Sequence, residues 1–286
     1  MKIEKITARI GARISDVDMS QPLDAGSVAA IRKAFDDHLV LVFAGQKPMS
    51  NEAFLRMGRH FGEIEVPDFQ TRASTCAEVM ILDQTSPQGQ GADNWHSDST
   101  YLEDPPMATM LQAHMLPSAG GDTCFSSMYA AYEALSPPMQ RFLEGLTSAH
   151  GPQRLIERTR AKALYTIPDS LAKRAPVSHP VIAVHPETGR RLLFVNSNWT
   201  LSIDGMSEPE SQYLIDFLFE HIKSPEFQMR HRWSVGDVVI WDNRCAQHYA
   251  VADYTGERRL MHRIVVLGKT IRGVKDAPST PASRAA

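Results

Sequence analysis

Cysteine is scarce in this chain. The three residues, Cys76, Cys124 and Cys245, are odd in number and far apart along 286 positions. That leaves neither a disulfide framework nor a CxxC zinc site and points to buried free thiols. No continuous apolar stretch of the roughly 18 residues needed to cross a bilayer is present. The apolar core of a secretory signal, roughly 7–15 residues, is missing too, for the N-terminus reads MKIEKITARIG and carries Glu4. Neither a membrane nor export is expected, and the location reads as cytoplasmic. Charge of one sign is also lacking: 30 Lys and Arg face 33 Asp and Glu, for a formal net charge of −3. Without a run of cations to follow a phosphate backbone, nucleic acid is not expected as a partner. There is no GxGxxG, no even βα alternation and no internal repeat.

What is present is the composition of a globular protein with a large core, 43% hydrophobic and 22% charged. Short runs rich in Val, Ile, Leu and aromatics read as strands over Leu39–Ala44, Val79–Leu82, Leu192–Val195, Val235–Trp241 and Leu260–Leu267. Helices are expected from Asp24 to His38, from Ser50 to about His60, from Ser136 with Pro137 and Pro138, and from Ser207 through Ile222. Turn residues at Pro186–Gly189, Gly236–Asp237 and Tyr254–Gly256 read as hairpin punctuation. The fold class is therefore mainly β with flanking helices, an antiparallel sandwich or barrel. The mixed, basic segment from Gly151 to Ser178 is open between a lid over a site and a solvated excursion, and the tail from 271 to 286 is expected to be flexible.

Four pieces carry potential chemistry. Asn94-Trp95-His96-Ser97-Asp98 contains the single HxD of the chain, and on a strand residues two apart share a face, so both side chains could hold one ion. Alone this is weak, because with 11 histidines chance supplies roughly half an HxD. Support comes from Trp241-Asp242-Asn243-Arg244 followed by Gln247-His248, since a histidine near a strand end can be a third ligand. Two His and one carboxylate on one face of an ion leave three positions open, an arrangement suited to iron(II); zinc more often takes a closed tetrahedral set. The third piece is Arg258-Arg259-Leu260-Met261-His262-Arg263. Strand alternation puts Arg259, Met261 and Arg263 on one face, and an interior guanidinium needs an anion. Periodicity leaves open which face is inward. The turn Gly120-Gly121-Asp122-Thr123 could deliver a hydroxyl to the same anion as Arg259.

Taken together, WHSDSTY, PPMATML, GGDTCFSSMYAAYEALSP, HPETGRRLLFVN, WDNRCAQHYAVADY and RRLMHRIVVLG resemble, in order, the taurine dioxygenase-like family of Fe(II)/2-oxoglutarate oxygenases. The resemblance implies a double-stranded β-helix, or jelly-roll, in one catalytic domain over 1–270, with His96, Asp98 and His248 as iron ligands. It implies Arg259 and Thr123 as partners of the distal 2-oxoglutarate carboxylate, Arg263 as the substrate-anion arginine and Trp233 as a pocket-lining residue. The cofactors implied are Fe(II), 2-oxoglutarate and O2, and the assembly implied is a homo-oligomer, dimer or tetramer. Because Asp98 supplies a carboxylate where related halogenases leave room for chloride, hydroxylation is expected.

Substrate identity is less determined. Where the taurine enzymes carry a His and a Tyr after the FG of an early helix, this chain has Pro67 and Gln70, and Ala92 stands in place of an Asn. Arg263 argues for a small organic anion, whether sulfonate, sulfate ester or carboxylate; an ether-cleaving aryloxyalkanoate dioxygenase of the same mechanism is the alternative. From a different class, a jelly-roll zinc hydrolase or isomerase would need a general base beyond the ligands and no Arg259. A non-catalytic 2-oxoglutarate sensor would be expected to lack a ligand.

Overall fold

Val238-Val239-Ile240-Trp241 is apolar at every position because its strand, Val238–Asp242, is covered on both faces. Val239 and Trp241 point into one cluster of buried residues, Val238 and Ile240 into another. The structure is a computed structural model and describes residues 1–67, 72–73, 76–85, 92–162 and 169–276. Its central element is an eight-stranded sheet. In spatial order the strands are Lys2–Lys5, Ala12–Ser15, Val40–Phe43, Val238–Asp242, Ala108–Met115, Arg259–Val266, Cys76–Gln84 and Arg72–Ala73. All pairings are antiparallel except that of Ala12–Ser15 with Val40–Phe43.

One face of this sheet is covered by the helices Ala25–His38 and Asn51–Arg59, through Ile31, Phe35, Phe54 and Met57. On the other face lies a three-stranded sheet of Gln228–His231, Thr123–Ser127 and Ala246–Ala250, which meets it where the Phe125 and Trp241 ring centroids come within 5.5 Å. Two sheets packed face to face with helices outside are a jelly-roll, as expected. Further small sheets, with the helices Met128–Glu133 and Glu208–His221, extend the inner cluster through Tyr129, Ile215 and Leu218.

The helix starts lie where their caps put them. The side chains of Asp24, Ser50 and Ser136 accept from the backbone N–H three residues on, and Ser207 forms a capping box with Glu210; each such cap contributes about 1 kcal/mol. Two of the three expected hairpins are corrected. Pro186–Gly189 does connect the paired strands Ile182–Val184 and Arg191–Leu193. Gly236–Asp237 and Tyr254–Gly256 instead lead from a strand of the small sheet to one of the large sheet, so they are crossovers within the sandwich. The segment expected as a flexible tail begins with an ordered strand, Arg272–Gly273, paired with Ile182–Val184; residues 277–286 lie outside the described residues. Of Gly151 to Ser178, the helix Gln153–Lys162 places Leu155 against Tyr101 and Trp199, and 163–168 lie outside the described residues, as does Gln70.

Candidate active site

His248 occupies the middle of the strand Ala246–Ala250, opposite Phe125. His96 lies on its other side in a one-residue antiparallel bridge, with His96 N–H donating to His248 O at 3.1 Å and His248 N–H donating to His96 O at 2.8 Å. The HxD, expected on a strand, instead follows a single isolated bridge and lies outside any regular strand. After the bridge the chain turns, with Ser99 at φ 47°, and this turn brings the Asp98 carboxylate beside both imidazoles. Asp98 Oδ1 is 3.9 Å from His96 Nε2 and 3.8 Å from His248 Nε2, and all three side chains are buried.

The protonation of this cluster follows from its neighbours. His96 Nδ1 lies 2.7 Å from Asn94 O; a carbonyl only accepts, so Nδ1 carries the hydrogen and Nε2 turns its lone pair to the cluster. Burial lowers the pKa of His96 and holds that of His248 well below the ordinary value, in the second case with help from the neighbouring His96. Burial alone would raise the Asp98 pKa, but Arg263, both histidines and the Thr109 hydroxyl outweigh it and hold it well down. Two neutral imidazoles and one carboxylate converging within 4.8 Å form a donor set that fits a divalent transition metal.

Arg259, Met261 and Arg263 do face inward, toward this cluster. Met261 packs in the inner core, while Ile264 and Val266 belong to the helix-covered face. Arg259 is buried, 7% exposed, with Nε lacking a hydrogen-bond partner and burial lowering its pKa. No carboxylate among the described residues pairs with it. Trp233 stands beside it, the guanidinium carbon 6.0 Å from the ring centroid, and donates its indole N–H to Thr123 Oγ1 at 3.0 Å. Trp233, read from sequence as lining the substrate pocket, is therefore placed on the Arg259–Thr123 pair. Gly121, at φ 73°, closes against Arg259: a Cβ there would lie 3.2 Å from its Cδ and Nε. Gln84, Ala92, Gly121, Tyr254 and Arg259 line one cavity, so Ala92, read from sequence as lining the substrate pocket, borders the space beside Arg259. An unpaired guanidinium, an adjacent hydroxyl and a cavity make a cradle for a carboxylate.

Arg263, read from sequence as the substrate-anion arginine, already touches one anion of the protein. Its Nη2 is 2.7 Å from Asp98 Oδ2, and Nη1 faces the Met80 thioether at 3.5 Å. Asp98 thus pairs with one nitrogen of Arg263, and the other nitrogen has no anionic partner among the described residues. A second group of possible metal ligands among the described residues, His185, Asp242 and Cys245, is occupied by a cation of the protein: Arg244 donates to both Asp242 oxygens at 2.9 and 2.6 Å, and His185 Nε2 lies 3.0 Å from Asp242 Oδ2. It is a structural ion-pair network. Sequence reasoning missed Thr109 and Asn243, which hold Asp98. Asn243 was in view inside WDNR, but nothing in a Thr within an apolar strand marks it.

A family model described as taurine catabolism dioxygenase TauD, TfdA family, matches residues 2–265. The chain belongs to the TauD/TfdA dioxygenase family. Among TauD/TfdA relatives, it is 33% identical over 281 residues to an alkylsulfatase of Acinetobacter baylyi, covering 96% of this chain and 87% of that protein. It is also 33% identical over 287 residues to an alpha-ketoglutarate-dependent sulfate ester dioxygenase of Pseudomonas putida, covering 96% and 92%. The crystal structure of a taurine dioxygenase from Burkholderia xenovorans superposes with a TM-score of 0.82 at 30% identity, covering 96% of this chain and 94% of that one. The fold and the family expected from the motifs both hold.

Proposed function

We propose that this TauD/TfdA protein is an Fe(II)- and 2-oxoglutarate-dependent dioxygenase that hydroxylates a C–H bond of a small organic anion, with release of succinate and CO2. The observation that carries the reading is the pairing of an open three-donor face with a buried, unpaired Arg259. A hydrolytic zinc site has no use for that cation. His96, Asp98 and His248 hold the metal, which with 2-oxoglutarate supplies the oxidation of an unactivated C–H bond by O2. Arg259 and Thr123 receive the distal carboxylate of 2-oxoglutarate, and Trp233 orients the Thr123 hydroxyl through its indole N–H. Gly121 and Tyr254 wall that end of the cavity from water.

Arg263 receives the substrate anion with the nitrogen that now faces only Met80, while Nη2 keeps Asp98. One guanidinium then ties the position of the substrate to that of a metal ligand. Ala92, in place of an amide side chain, leaves apolar room for an alkyl chain. The relatives named for sulfate esters favour a sulfate ester or sulfonate over a phenoxy acid. The exposed aromatic pair Tyr213 and Phe217, one turn apart on the helix Glu208–His221, supports a homo-oligomer, dimer or tetramer. No helix among the described residues is long and apolar enough to cross a membrane; a cytoplasmic location is part of this proposal. The test is succinate release from the Fe(II)-loaded protein in air with 2-oxoglutarate and a panel of alkyl sulfates, sulfonates, phenoxyalkanoates and small carboxylates. Succinate coupled to a sulfate or sulfonate is expected. Turnover confined to phenoxy acids would reverse the substrate assignment, and none with any member would overturn the reading.

A further inference from the structure

The two carboxylate oxygens of Asp98 have different surroundings. Oδ1 faces both imidazoles, at 3.9 and 3.8 Å. Oδ2 turns away to the Thr109 hydroxyl at 2.5 Å and Arg263 Nη2 at 2.7 Å. Thr109 is fully buried on the inner face of the strand Ala108–Met115, in register with Trp241 on one neighbouring strand and Val265 on the other. Its place is therefore set by the sheet.

The direction of each hydrogen bond in this cluster is fixed by elimination. An indole N–H only donates, so Asn243 Oδ1 accepts from Trp241 Nε1 at 3.0 Å; it also accepts the Asp98 backbone N–H at 3.3 Å. That leaves the amide nitrogen of Asn243 to donate to Thr109 Oγ1 at 2.9 Å. With its oxygen engaged as an acceptor, the Thr109 hydroxyl has its one hydrogen to give, and the ionised Asp98 Oδ2 can only accept it. The relay runs one way, from Trp241 through Asn243 and Thr109 to Asp98.

We propose that Thr109, aligned by Asn243, is a positioning residue that confines Asp98 to ligation through Oδ1 alone. The proposal rests on the dioxygenase reading above. Two imidazoles and a one-oxygen carboxylate leave three of six positions around a metal; a two-oxygen carboxylate leaves two, too few for a chelating 2-oxo acid together with O2. Arg263 also holds Oδ2, but it is the group assigned to the substrate anion. Thr109, locked in the sheet and without any other function to serve, holds Oδ2 whatever Arg263 does. A hydroxyl on a fully buried strand residue, with its hydrogen aimed at a ligand oxygen, is the kind of outer partner whose loss lowers metal affinity by about 10–100-fold.

The experiment compares wild type, Thr109→Val, which keeps the shape and removes the hydroxyl, and Thr109→Ser, which keeps the hydroxyl. Each is titrated anaerobically with Co(II), with and without 2-oxoglutarate, reading the dissociation constant and the intensity of the visible Co(II) bands, which reports coordination number. Expected is a Co(II) affinity about 10–100-fold weaker in the Val variant, a changed band intensity with 2-oxoglutarate present, and restoration of both by Ser. Wild-type affinity and an unchanged spectrum in the Val variant would overturn the proposal while leaving the dioxygenase reading intact. Failure of wild type to bind Co(II) would instead overturn the reading beneath it. Should the Val variant not fold, Thr109→Ala lacks the same hydroxyl and carries the same two readouts.

Discussion

Replacing Arg259 with methionine separates two free energies that normally move together. In the ligand-free protein the Arg259 guanidinium is buried, its Nε has no partner, and burial already lowers its pKa. An unpaired buried charge costs folding free energy, so a flexible apolar side chain of similar length relieves that cost. Ligand-free stability should then be unchanged or higher, which a urea midpoint measures. Binding moves the opposite way. Truncating one partner of a buried, hydrogen-bonded charge pair costs about 2–5 kcal/mol, and about 3 kcal/mol is roughly a hundredfold in the 2-oxoglutarate constant. The consequence can be read without turnover. At 100 times its dissociation constant a ligand stabilises the fold by about 2.7 kcal/mol; after a hundredfold loss the same concentration gives about 0.4 kcal/mol. A thermal or urea titration of the metal-loaded protein with 2-oxoglutarate therefore shows a large protection in wild type and almost none in Arg259→Met. The reasoning is refuted if the variant keeps the full protection, or if it loses several kcal/mol of ligand-free stability.

Other perturbations probe the neighbouring positions. Arg263→Met removes both the Oδ2 contact and the Nη1 that faces the Met80 thioether; the constant for the primary substrate should rise at least about tenfold, as for a lost charge-assisted pair, with a much smaller change for 2-oxoglutarate. Equal rises in both constants, measured by steady-state kinetics, would show that the two arginines have no separate roles. On the helix-covered face, His262 stacks on His114 with ring centroids 3.7 Å apart, and burial, then the His114 charge, lowers its pKa to about 4. The unfolded chain takes up that proton near 6.5 and the folded chain resists it, so this stability is present above about 6.5 and is lost as pH falls toward about 4. Urea midpoints from pH 7 to 5 should decline less steeply in His262→Leu than in wild type; parallel curves would contradict the assignment.

Much of the fold is legible in the sequence where a local chemical group dictates it. Asp24, Ser50, Ser136 and Ser207 mark helix starts because their side chains satisfy backbone donors there. Branched, apolar runs mark the strands for a similar reason. What cannot be read locally is which sheet a strand joins: Gly236 and Gly256 announce reversals, and only tertiary pairing makes them crossovers between sheets. The inward face of Arg259–Val266 is hidden because both faces of that strand are covered, so alternation carries no polarity signal. The metal-ligand cluster is legible as HxD plus a distant His, yet the turn at Ser99 that aims Asp98 is not. Thr109 is silent for the plainest reason: in an apolar strand, threonine is an ordinary β-branched residue.

The central claim is tested most directly by anaerobic titration with Fe(II) followed by 2-oxoglutarate, recorded by visible absorption. The account predicts one Fe(II) and one 2-oxoglutarate per chain, with a weak visible charge-transfer band that is absent in Asp98→Ala and His248→Ala. A wild type that shows no band, or a band that survives in both variants, would contradict it.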